Sequence, residues 1–172
     1  MGLFDRRRRR PLPPAVRAAV PLSSGAKVLA WATDDRSSDY LVATTHRVAL
    51  VGLDGDLRWA RPWHEVEAAT WQGESELLTV SWVDGSRPDS WHVTEPSMIQ
   101  QTVRERVQAS VVLADEFRTT GRRTVRVVVR QDLASGEILE QVIAGKGARV
   151  DDPAVVAEAA ERLSRLRAEI GR

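Results

Sequence analysis

His46, His64 and His92 are the only imidazoles in this chain, and it contains no cysteine. Thiolate nucleophiles, disulfides and cysteine-based zinc sites are therefore excluded. His64-Glu65 is not followed by the second histidine of a zincin helix, and its surroundings read as strand. No spacing joins the three histidines into a ligand set. There is no Gly-rich phosphate loop, no nucleophile elbow and no carboxylate pair at catalytic spacing. These residue types predict a chain that binds rather than transforms, with no cofactor and no metal.

Two groups of residues could do binding chemistry. All six tryptophans lie between Trp31 and Trp91. Trp59 and Trp63 flank Pro62 beside Arg58 and Arg61, a cluster able to dock a membrane interface, a peptide or stacked bases. Its other reading is an aromatic closure of a small barrel beneath arginine stems. Arg118, Arg122, Arg123, Arg126 and Arg130 form a basic run uninterrupted by any acid. Contacts from Arg122, Arg123, Arg126 and Arg130 to phosphates would weaken steeply with salt. The other reading is a solvated hairpin edge whose charges discourage aggregation.

Charge is uneven along the 172 residues. Residues 1–20 carry six arginines against one aspartate, a local +5, so the remainder stands at −4 against a total of +1. Residues 1–22 read as a disordered basic tail, because four prolines break any helix and Arg6, Arg7, Arg8, Arg9 and Arg10 repel one another. Proline and Arg17 interrupt the apolar stretch that an export signal needs. Five arginines near an anionic membrane would supply roughly 5 kcal/mol, at about 1 kcal/mol each. That is a sub-millimolar attachment requiring a second anchor.

The positioning elements follow from periodicity. Alternation predicts seven strands between Lys27 and Thr94, with hairpin turns at Asp54-Gly55 and Asp84-Gly85. One of them runs from Trp63 to Trp71, and Trp82 is expected in the core. Pro96 then opens a helix whose stripe is Val103, Val107, Val111, Ala114 and Phe117. Beyond it, Arg122 to Gln131 and Glu137 to Ile143 read as a β-hairpin, with Arg126 and Arg130 pairing Glu137 and Glu140 across strands. Asp152 and Pro153 start a last helix that Gly171 ends.

The run Tyr40 to Val51, the segment Arg61-Pro-Trp-His-Glu-Val66, the strand Leu77 to Trp82 and Asp84-Gly85 together resemble bacterial pleckstrin-homology and GRAM-like domains over residues 25–118. That resemblance implies an α+β fold: a PH-like seven-stranded antiparallel β-roll capped by an amphipathic helix. It divides the chain into a tail (1–22), a PH-like domain (23–118) and a β-hairpin with a C-terminal helix (119–172), packed on the roll or on a partner. Where such domains bind inositol phosphates, basic residues sit in and beside the first hairpin loop. Here Asp34 to Asp39 holds three aspartates against Arg36, which disfavours a phosphate.

The expectation is a non-enzymatic, cytoplasmic module that binds a protein partner and sits peripherally at the inner membrane through its arginine tail. Contact falls to Arg6–Arg10, Arg58, Trp59, Arg61 and Trp63. The alternative is a nucleic-acid-associated protein using the tail and the patch from Arg118 to Arg130.

Overall fold

Apolar–polar alternation from Val28 onward builds strands, and the strands assemble into three antiparallel sheets. The computed structural model describes residues 11–95 and 97–171. Among these are ten strands and three α-helices, an α+β architecture. A short helix, α1 (Pro14–Ala19), precedes the first sheet. That sheet is a meander of β1 (Val28–Thr33), β2 (Tyr40–Thr44), β3 (Arg47–Val51) and β4 (Leu57–Pro62). A 3-10 turn, Trp63–Glu65, leads into the second sheet: β5 (Val66–Gln72), β6 (Leu77–Trp82) and β7 (Asp89–His92). The helix α2 (Ile99–Ser110) passes directly into the third sheet. That sheet comprises β8 (Val111–Arg118), β9 (Thr124–Gln131) and β10 (Ile138–Ala144), with α3 (Pro153–Ile170) packed on it. Gly55 and Gly85 adopt φ of 86° and 72°, the left-handed backbone that the Asp-Gly turns require.

Each layer has its own apolar centre. Leu41, Val48, Trp63, Leu78, Trp82, Ile99 and Val103 fill the space between the first two sheets and α2. Val125, Val127 and Val129 of β9 meet Val155, Leu163 and Leu166 of α3. On the outer face of the first sheet, Val16 and Val20 cover Val42, Ala49 and Val51.

Several expectations are corrected here. Residues 14–19 are helical rather than disordered: Pro14 presets the first φ, and burial of Val16 and Val20 on an otherwise bare sheet face holds the turn in place. Arg6–Arg10 lie outside the described residues. The helix expected to run from Pro96 to Phe117 spans only Ile99–Ser110, and the next eight residues are strand. Val111 satisfies both a helical and an alternating period. Pairing with β9 decides the outcome, because it gives the marginal β9–β10 hairpin a third strand. Phe117 accordingly belongs to the α3 core. The strand expected from Trp63 begins at Val66, after the 3-10 turn. The cross-strand ion pairs are absent too: Arg130 stands opposite Leu139 and Glu140 opposite Val129, and Glu140 pairs with Arg167 of α3. The N-cap role expected of Asp152 holds: its carboxylate accepts from the Ala154 amide at 2.9 Å and starts α3.

Candidate functional site

The Arg–Trp cluster is folded inward. Trp63 is 1% exposed, and its indole N–H donates to the Thr44 carbonyl at 3.0 Å. Trp59 is half-buried, packed edge-on against Trp82 at 5.4 Å and tilted against Trp91 at 6.1 Å. The Arg61 guanidinium lies 4.2 Å from the Trp82 ring centroid while donating to Glu65 and Asp84, both at 2.7 Å. Arg58 is exposed and pairs with Asp54 at 2.9 Å. An arginine already holding two carboxylates and a ring has little capacity left for a ligand. Among these four residues only Arg58 is exposed, and its guanidinium is held by Asp54.

The basic run is also divided. Arg118, Arg122 and Arg123 are exposed around the β8–β9 hairpin, and Arg126 is half-buried. Arg130 is fully buried, and Nη1 donates to the Ser110 hydroxyl at 2.8 Å. Its Nε and Nη2 have no partner among the described residues. Burial pushes the Arg130 pKa down to about 10, nearby Arg126 adds to the shift, and Glu67 opposes it. Arg130 is therefore a core group rather than a phosphate contact. Alternation along β9 could not reveal this, because α3 covers one face of the third sheet and the first two sheets approach the other.

Further unpartnered polar atoms gather at that approach. Arg47 Nε, His64 Nδ1 and Gln141 Oε1 are buried with no hydrogen-bond partner among the described residues, although Gln141 Nε2 donates to the His64 carbonyl at 2.8 Å. His64 Nδ1 stands 3.7 Å from Asp132. His46 instead shares a 2.8 Å hydrogen bond with Ser23. Among the described residues no three histidine, aspartate or glutamate side chains gather as metal ligands.

The feature that residue types did not reveal lies along β1. This strand is first in its sheet and, among the described residues, pairs only with β2. A cavity of about 490 Å³ runs beside residues 28–32, between the Pro11-Leu12 segment and Ser97-Met98. A second, of about 450 Å³, continues past Thr33 and Asp35 and shares Trp31 and Glu95 with the first. Leu29 and Met98 are 41% and 36% exposed on this trough. Its charged rim is Arg17 against Glu95 and Asp35. The one sequence signal was negative: Val28–Thr33 contains neither charge nor proline.

Comparison with protein-family models, curated proteins and solved structures finds no match to this chain. Among the described residues no helix is long and apolar enough to cross a membrane.

Proposed function

We propose that this chain is a non-enzymatic interaction module, a PH-like roll extended by the third sheet and α3, that binds a protein partner. The arginine tail adds weak peripheral attachment to an anionic membrane. One observation carries the reading: a trough lined by Leu29, Trp31 and Met98 follows the open edge of β1. An edge of unpaired backbone flanked by exposed Leu29 and Met98 is a ready template for another chain. The Arg58–Trp63 cluster does not serve as the docking surface, since Trp63 is buried and Arg61 is already paired.

The test is affinity capture with the full chain, with Leu29→Arg and with Arg123→Gln. A partner held by the parent chain and by Arg123→Gln, but lost from Leu29→Arg, supports docking at the trough. Equal retention by all three overturns it. Of its patch the nucleic-acid reading keeps exposed Arg118, Arg122 and Arg123, beside the arginine tail, which lies outside the described residues. It requires a binding constant that falls steeply with salt and flattens in Arg123→Gln.

A further inference from the structure

We infer that the trough takes an extended, apolar-and-basic segment of the partner as an added β-strand along β1. This deepens the interaction-module reading above and rests on it.

The backbone of β1 is fixed at both ends. The Thr45 amide donates to the Lys27 carbonyl at 2.9 Å, and the Asp34 amide donates to the Asp39 carbonyl at 2.8 Å. Antiparallel pairs alternate between bonded and non-bonded. Ala30 and Ala32 therefore direct their amides and carbonyls toward β2, and Trp31 and Thr33 direct theirs to the open edge. The register shift between Val28 and Ala30 leaves Leu29 as the extra residue, on the same open stretch.

Exposed edges are ordinarily protected by lysine, proline or an inward charge. None of these occurs in Val28–Thr33. Protection comes instead from two walls, Pro11-Leu12 on one side and Ser97-Met98 on the other. A sheet edge approaching broadside meets these walls, whereas one extended segment lies between them. Its backbone would bond to Trp31 and Thr33, and alternate side chains would enter the trough. One apolar side chain fits between Leu29 and Met98. Beside Glu95 and Asp35 a lysine or arginine is favoured, since among the described lining residues Arg17 alone opposes the two acids. The Asp35 carboxylate gives one oxygen to the Thr94 amide at 3.0 Å and keeps the other.

The experiment screens a library of extended peptides against the full chain and measures the best binder by calorimetry. Three changes follow: N-methylation at alternate peptide positions, Thr33→Pro and Glu95→Gln. Proline is tolerated on an edge strand, and here it deletes one outward N–H without touching the pairing with β2. Strand addition predicts apolar-and-basic binders, weakened about tenfold by N-methylation on one alternation only and similarly by Thr33→Pro, the factor for one backbone hydrogen bond. Glu95→Gln should reduce both affinity and its salt dependence. N-methylation needs no variant, so the result stands even if Thr33→Pro fails to fold. Binders indifferent to both backbone changes overturn strand addition and leave the module reading intact. A concentration-dependent dimer abolished by Thr33→Pro assigns the edge to a second copy and overturns the partner segment. A library with no binder, together with equal capture by Leu29→Arg, removes both readings.

Discussion

Arg130 donates to the Ser110 hydroxyl at 2.8 Å, and that hydroxyl donates to the Val107 carbonyl at 2.7 Å in the last turn of α2. The guanidinium thus sits at the negative end of a helix, a partial compensation for burial. Two of its three nitrogens have no partner among the described residues. A desolvated cation with one hydrogen bond costs more than it returns, and an apolar side chain of similar length should do better. We expect Arg130→Met to raise the unfolding free energy by about 1–3 kcal/mol at neutral pH, read as a higher urea midpoint. The sign follows from linkage: the folded pKa is depressed from the ordinary guanidinium range to about 10, so the penalty is complete at neutral pH and is relieved only above about pH 10. A clear loss of stability in Arg130→Met would show that this cation has a further partner in the folded chain.

Arg61 ties β4 to the 3-10 turn and to the β6–β7 hairpin through Glu65 and Asp84. Arg61→Gln should lower stability by about 1 kcal/mol at neutral pH, since the site is only partly screened and includes a ring contact. Hydrogen bonds from Ser86, followed by the one from Arg61, hold the Asp84 carboxyl down at about 2. A depressed carboxylate stabilises above its unfolded value of 3.8, and that contribution disappears as pH falls toward about 2. Melting temperatures across that window should therefore converge for the parent chain and the variant. Parallel curves would show that Arg61 and Asp84 are not coupled in solution.

Trp63 fills the centre of the first core with its one polar atom bonded to Thr44. Trp63→Phe should cost about 1–3 kcal/mol, from a lost hydrogen bond, an unpaired carbonyl and a residual cavity. Peptide binding at β1 should be unchanged at temperatures where the variant stays folded. An unperturbed urea midpoint with lost binding would return Trp63 to the contact surface.

Asp34 is the unobvious member of the acidic β1–β2 loop. It is 6% exposed and accepts from the Ser37 hydroxyl at 2.8 Å, the Ser37 amide at 3.1 Å and the His92 amide at 2.8 Å. One carboxylate thus closes its own turn and joins the first sheet to β7. Asp34→Ala should destabilise by about 2–4 kcal/mol, whereas Asp39→Ala should stay within about 0.5 kcal/mol. Denaturant titration of the pair decides it.

How much of this was legible in the sequence depended on whether one signal acted alone. Alternation and the two Asp-Gly turns placed β2, β3, β6 and β7, because no other period competed there. Around Val111 two periods fitted the same residues, and only the need of β9 for a partner separated them. Arg130 was misread because alternation assigns residues to faces but does not say which faces are covered. α1 was hidden by its prolines: six residues with Pro14 at the first position are helical only through the burial of Val16 and Val20. The trough is a property of a strand edge and two distant walls, and no local pattern encodes it.

α2 meets β8 with no loop between Ser110 and Val111, so the joint has no slack. The length of the helix is consequently counted to the residue. Most surface connections here would absorb an inserted amino acid, as the Gly73–Ser75 turn should. One inserted at this joint, with the β9 register kept from its first pair, would turn the whole of β8 over. Phe117 would leave the α3 core and Glu116 would take its place.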